Sequence, residues 1–315
     1  MHMKSLYLLS VAIIFAVWSP VAASAKGLYV NIFGKSSSPA LIFLHGGPGY
    51  NAASFELSTA ARLADSGYFV IVYDSRGTGR STTDSAAYTY DSEIRDLKRI
   101  YNRYGLKTAS LLGHSFGGSL AIKFAQHHPE AVQKIILISA PLDYPRTFKT
   151  ILKNCRDYYT QHQPASLTYI NMLDTMNAAT LGYATYSFMN AMACKLYNTK
   201  VVDPEAAAIY KRMRLDTASK YLTMSKPDPV GGFFRNEKYT TRVFYDDVKT
   251  ILARTPMYGI YGDEDGLFDP EQLERIEKQI GADRFSVIPS ASHAVFIDRQ
   301  TVFIDTLISF LRSGG

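Results

Sequence analysis

Short, unbroken apolar runs recur along the first half of the chain, each closed by a polar or glycine-rich turn. Residues 28–33, 40–44, 68–73, 109–112 and 135–138 are predicted strands. An apolar run with no polar alternation suits a strand buried on both faces, as in a parallel sheet. Helical patterns lie between them. Residues 54–66 read as a helix ending at Gly67, and Ile94, Leu97, Tyr101 and Tyr104 share one helical face before Gly105. Residues 119–126 read as a further helix directly behind the fourth strand. This alternation predicts an α/β chain with a doubly wound, mostly parallel sheet.

The rhythm stops at Leu142. From there to Thr250 the chain shows tyrosine- and methionine-rich helical patterns, which read as an inserted helical cap. The sheet pattern resumes at residues 256–261. Asp269 and Pro270 then mark a helix start as N-cap and first helical position. Residues 285–288 are the last predicted strand and 302–311 a closing amphipathic helix. The expected organisation is a core in two parts, 26–141 and 251–315, with the cap at 142–250.

The first 25 residues stand apart. Lys4 precedes an apolar stretch from Leu6 to Val17, and Ala23-Ser24-Ala25 has the small-residue form of a cleavage site. This reads as a secretory signal peptide cut after Ala25. The apolar stretch is short for a membrane span, and an uncleaved anchor is the alternative. No cysteine sits at the cleavage site, which argues against a lipoprotein. Export, to periplasm or medium, and no stable membrane insertion after cleavage are the expectations. Cys155 and Cys194 are the only cysteines. An oxidising compartment would permit a disulfide between them, and two buried free thiols are the other reading. The formal charge is +6, but the basic residues are scattered rather than run together, so a nucleic-acid partner is not expected. No metal-type Cys/His cluster and no phosphate-binding glycine motif appears, and no metal or cofactor is expected.

Gly113-His114-Ser115-Phe116-Gly117-Gly118 lies between a predicted strand and a predicted helix. That is the setting of a G-x-S-x-G nucleophile elbow, where flanking glycines allow a turn sharp enough to raise the serine hydroxyl. A serine hydroxyl needs a base, and the base needs an orienting acid. In this chain order the acid follows the serine and the histidine follows the acid. His293, just past the last predicted strand, fits the base. His45 reads as a brace for its own loop, while His114, His127, His128 and His162 fit the base role less well. Gly262-Asp263-Glu264-Asp265 follows the penultimate strand, and Asp265 is the preferred acid, with Asp263 as the alternative. The Phe116 amide, directly after the nucleophile, is one expected oxyanion donor. The Gly47 amide, in His45-Gly46-Gly47-Pro48-Gly49, is the other.

Three stretches carry a family resemblance: His45-Gly46-Gly47-Pro48-Gly49, Asp74-Ser75-Arg76-Gly77-Thr78-Gly79-Arg80-Ser81 and Gly113-His114-Ser115-Phe116-Gly117-Gly118. Together they resemble the proline iminopeptidases of the α/β-hydrolase fold. The resemblance covers about residues 28–141 and 251–312, and the H-G-G-P-G stretch is its most specific part. It implies a serine aminopeptidase that removes proline or small apolar N-terminal residues from short peptides. The family's cap carboxylates hold the substrate ammonium. The W-x-x-W-E cap motif of one bacterial branch is missing. Asn236-Glu237-Lys238-Tyr239 is similar to an asparagine-glutamate-aromatic element of another branch. The resemblance therefore implies Glu237, with Glu205 as the second carboxylate, for substrate binding. A carboxylesterase acting on small esters is the competing expectation, and a binding protein that has lost activity on the same fold is the third.

Overall fold

The structure is a computed structural model that describes residues 27–81, 86–223 and 226–314. Among these residues seven strands form one sheet: β1 Val30–Phe33, β2 Ala40–Leu44, β3 Phe69–Tyr73, β4 Ala109–His114, β5 Val132–Ile138, β6 Met257–Gly262 and β7 Phe285–Ile288. Their order is β1-β3-β2-β4-β5-β6-β7. Edge strand β1 pairs antiparallel with β3, and every other pairing is parallel.

The unbroken apolar runs have a direct physical cause. Every residue of β2 is buried. Ile42 and Leu44 join Ile71, Leu111 and Leu137 in one core, while Leu41 and Phe43 join Val70, Val72, Leu112 and Ile136 in a second. Successive side chains point to opposite faces of a strand, so a strand with a core on each side has no polar position. Helices Tyr90–Tyr104 and Phe116–His127 supply Ile94, Leu97, Leu120 and Phe124 to the first core. Helix Gln300–Arg312 supplies Phe303 and Leu307 to the second.

Helix ends follow the sequence signals. Asp269 caps the helix Pro270–Ile280 by accepting from the Gln272 amide, and Gln272 answers in a capping box. Between β5 and β6 the described residues form helices Tyr144–His162, Leu167–Thr175, Leu181–Ala193, Pro204–Leu215, Pro227–Glu237 and Tyr245–Leu252, with shorter helical turns. Tyr144, Phe148 and Tyr159 of the first belong to the same core as the sheet. Cys155 and Cys194 are free thiols, both buried. Burial pushes the Cys194 thiol upward, and that of Cys155 as well, so both stay protonated at neutral pH. The proposed signal peptide lies outside the described residues. Among those residues no helix is long and apolar enough to cross a membrane.

The loop after β3 is tied down by charge. Asp74 is fully buried. It accepts from the amides of Ala52 at 2.9 Å and Arg80 at 2.8 Å, and from Arg80 Nε at 2.7 Å and Nη2 at 2.9 Å. Arg80 also reaches Glu56 at 2.7 Å and lies over the Tyr29 ring. Burial alone would raise the Asp74 carboxyl, but the hydrogen bonds and charge of Arg80 hold it below its ordinary value. A depressed folded pKa contributes stability that is complete above the unfolded carboxylate value of about 4 and is lost as pH falls through the folded value. Asp74→Asn breaks one partner of a buried pair and is expected to cost about 3–5 kcal/mol near neutral pH. Urea denaturation at pH 7 and again below pH 4 should show that deficit shrinking in acid.

Candidate active site

Ser115 joins β4 to the helix Phe116–His127 with φ of 52° and ψ of −123°. A non-glycine residue with positive φ is strained, and such strain persists only where the surroundings enforce it. Here they do. The Ser115 amide donates to the Ile138 carbonyl of the neighbouring strand at 2.9 Å. A Cβ on Gly117 would lie 2.0 Å from the Leu44 carbonyl oxygen, and one on Gly113 would lie 2.7 Å from Gly118 Cα. The turn closes only because both positions lack a side chain.

The acid and base come from the ends of β6 and β7. His293 Nδ1 and Asp265 Oδ2 are 2.8 Å apart, with both residues buried. Asp265 Oδ1 accepts from the Leu267 amide at 3.1 Å, so its carboxylate is fixed from both sides. Asp263, the alternative acid, is exposed on the same turn. An acceptor at Nδ1 places the imidazole proton there and leaves the Nε2 lone pair free. Tyr197 packs edge-on against the His293 ring at 5.1 Å. Among the described residues neither Ser115 Oγ nor His293 Nε2 has a hydrogen-bond partner. In substrate-free hydrolases that bond is commonly long and tightens with ligand.

Side chains that sequence reasoning passed over hold the histidine loop. His114, next to the serine, donates through Nε2 to the His293 carbonyl at 3.0 Å, and the two rings are 4.9 Å apart. Burial first, and then the neighbouring His293, push His114 down to about 3, so it is a neutral brace. Asp298 accepts from the Ser292 amide at 2.9 Å and its hydroxyl at 2.5 Å, and from Tyr210 at 3.0 Å. The spacing of Ser292 and Asp298 in the sequence offers no signal for this bond. It forms because the short helix Val295–Asp298 folds back on the loop.

The H-G-G-P-G loop passes against the elbow. A Cβ on Gly46 would lie 3.0 Å from Ser115 Cβ and 3.5 Å from its Oγ. His45 is buried and braces the loop, as its sequence context suggests. Its Nε2 accepts from the Ser75 amide at 2.9 Å, which assigns the proton to Nδ1, 2.7 Å from the Gly46 carbonyl. Gly47 has φ of 132°, and a Cβ there would lie 2.6 Å from the Gly49 amide nitrogen. Phe116 opens the helix after the serine, and its ring packs on Tyr90, Phe233 and Tyr239. A small cleft beside it, of about 10 Å³ and so with room for about one water, is lined by Pro48, Gly49, Arg76, Glu93, Phe116, Leu120, Pro229 and Phe233, among others.

The two cap carboxylates do not meet. Glu205 pairs with Arg62 at 3.3 Å and accepts from the Thr301 hydroxyl at 2.6 Å, on a surface patch where its side chain is 38% exposed. These contacts tie the helix Pro204–Leu215 to the core. Glu237 Oε1 accepts from the Tyr90 amide at 3.0 Å, at the start of helix Tyr90–Tyr104, and Oε2 lies 3.9 Å from Arg242. A carboxylate at a helix N-terminus satisfies an amide that has no partner within the helix. Neither glutamate lines the cleft beside Phe116.

Residues 39–300 match the family described as the alpha/beta hydrolase fold. A proline iminopeptidase of Lactobacillus delbrueckii subsp. bulgaricus is 30% identical over 294 residues, covering 90% of this chain and 94% of the relative. One of Lactobacillus helveticus is 26% identical over 290 residues, covering 90% and 93%. The chain belongs to the proline iminopeptidase family of α/β-hydrolases. Among solved structures, this hydrolase is similar to a proline iminopeptidase-related protein of Thermus thermophilus. That match has a TM-score of 0.64 and 21% identity, over 90% of this chain and 92% of that one. It is also similar to an esterase of Exiguobacterium antarcticum, with a TM-score of 0.60 and 22% identity over 91% and 96%. At these identities the structural matches speak for the fold of this hydrolase and not for its substrate.

Proposed function

We propose that the protein is a serine aminopeptidase that releases proline or small apolar residues from the N-terminus of short peptides, working after export. The observation that carries the reading is the pairing of His293 Nδ1 with Asp265 Oδ2 at the same sheet edge as the strained Ser115 turn. In the reading, His293 Nε2 takes the Ser115 proton as Oγ forms a bond to the scissile carbonyl carbon. The Gly47 and Phe116 amides hold the resulting oxyanion. The C–N bond then breaks, and the leaving amine takes the proton from His293. Water repeats the sequence on the acyl-enzyme and restores Ser115. No cofactor enters. The named activity of the Lactobacillus relatives over nine-tenths of the chain supports the peptidase assignment.

An esterase is the second reading. The apolar side chains Phe116, Leu120 and Phe233 near Ser115 favour it, since they offer a plain acyl chain a surface to pack on. A panel of prolyl- and alanyl-arylamides, their N-blocked forms and p-nitrophenyl acyl esters separates the two. The peptidase reading expects free-amine arylamides to be turned over and their N-blocked forms to be poor. Turnover of esters and blocked substrates with none of free-amine arylamides would replace it with the esterase.

A further inference from the structure

Both loops that carry the acid and the base are bonded to the helical segments between β5 and β6. Helix Leu181–Ala193 ends in a turn with Lys195 at φ of 59°. The amides of Lys195 and Leu196 close that turn by donating to the carbonyls of Met192 at 3.0 Å and Ala191 at 2.9 Å. The next two carbonyls meet the two halves of the acid–base pair. Leu196 accepts from the amide of Gly266, the residue after Asp265, at 2.9 Å. Tyr197 accepts from the hydroxyl of Ser292, the residue before His293, at 2.7 Å. The Lys200 amide then donates to Oε2 of Glu264, the residue before Asp265, at 2.7 Å.

A second helix reaches the same turn. Asn154, on helix Tyr144–His162, donates through Nδ2 to the Gly266 carbonyl at 2.9 Å. Gly266 is therefore held by its amide and by its carbonyl. It also lies flat against the connector: a Cβ there would be 2.7 Å from Leu196 Cβ and 3.0 Å from the Leu196 carbonyl oxygen. From the sheet side, the Glu264 amide donates to the Ala291 carbonyl at 2.9 Å, which ties the acid turn to the base loop. A base and its orienting acid work within a narrow geometry, and a displacement of about 1 Å can cost about 100-fold in rate. Asp265 stands on loop backbone, so bonds to the residues on either side of it set where its carboxylate lies.

We infer that Asn154 and Glu264 are positioning residues. Together with the connector 196–200 they hold the Asp265 turn against His293, so the acid–base pair is completed by the cap. The inference rests on the triad reading and gives the cap a part in the chemistry beyond screening substrates. Asn154 acts by donating to Gly266, and Glu264 by accepting from the Lys200 amide. The Glu264 charge is secondary, because the Lys200 ammonium lies 3.9 Å away with its side chain 84% exposed. Both residues act through Asp265 and leave the reacting atoms to Ser115 and His293.

A double-mutant cycle tests it, read with whichever arylamide or ester the parent turns over fastest. Asn154→Leu removes the donor at similar size and should lower kcat about 10- to 100-fold, with KM changed less than about threefold. Glu264→Ala should do the same. Glu264→Gln, which keeps an acceptor oxygen, should restore most of the activity. In an Asp265→Asn background Asn154→Leu and Glu264→Ala should each cost under about twofold, because the carboxylate they place is gone. Equal losses with Asp265 present or replaced would overturn the proposal, since they report general damage to the fold. Activity kept within about twofold in Asn154→Leu and Glu264→Ala would also overturn it. So would a Glu264→Gln variant as impaired as Glu264→Ala, which would point to the charge instead. Should Asn154→Leu fail to fold, the two Glu264 variants decide. Parent-like kcat in Ser115→Ala or Asp265→Asn is a separate result: it would overturn the triad reading itself, and the positioning role with it.

Discussion

Ser115→Ala is expected to lower kcat by about 10⁴- to 10⁶-fold, with substrate binding largely retained. The loss follows from removing the only protein atom in the reading that bonds to the scissile carbon. The fold should tolerate the change. Ser115 makes no side-chain capping bond to the helix it precedes, and alanine keeps the Cβ that the turn at φ 52° already accommodates. The stability change should stay within about 0.5 kcal/mol by urea denaturation. Loss of activity without loss of stability separates a chemical role from a structural one. A variant with most of the parent's kcat would remove Ser115 from the mechanism.

Asp265→Asn carries the second-largest expected effect, about 10⁴-fold in kcat. Asp265 Oδ2 accepts the His293 Nδ1 proton at 2.8 Å, while Oδ1 is already held by the Leu267 amide. With Oδ1 retained as acceptor, an asparagine directs its NH₂ at Nδ1. That would move the imidazole proton to Nε2, where a base needs a lone pair. The variant should therefore fold, bind substrate and fail as a base. Steady-state kinetics with an arylamide near pH 8 would show it, and a loss under about tenfold would contradict the orienting role. The exposed Asp263 supplies the internal control, because its replacement by asparagine removes a solvated charge with no contact to His293.

The parts of this molecule that were legible in the sequence are those governed by local chemistry. An unbroken apolar run such as Ala40–Leu44 has one economical explanation, a strand between two cores, and that is where β2 lies. The elbow was legible because its glycines report a backbone that no other residue could follow. Asp269 as a helix cap, His45 as a loop brace and the nearness of Asp265 to His293 came from position relative to strand ends. The strand order and the antiparallel edge strand β1 were not legible, since pairing between distant segments leaves no local pattern. Charged side chains were the least readable. Glu237 meets the Tyr90 amide across 147 residues of chain, and Glu205 meets Thr301 across 96. A glutamate on an amphipathic helix looks alike whether it faces water, a helix end or a cleft. For the same reason Glu93 passed unnoticed beside Ile94, although its burial in the structure sets it apart from Glu205 and Glu237.

The central claim is that His293 and Asp265 make one particular hydroxyl, that of Ser115, unusually reactive. Labelling with a fluorophosphonate, followed by peptide mass spectrometry, tests this most directly. The account predicts one phosphonyl adduct per chain, on Ser115, formed in step with loss of hydrolysis and greatly slowed in Asp265→Asn. Complete inactivation with Ser115 unmodified, or labelling of Ser115 that leaves hydrolysis intact, would contradict it.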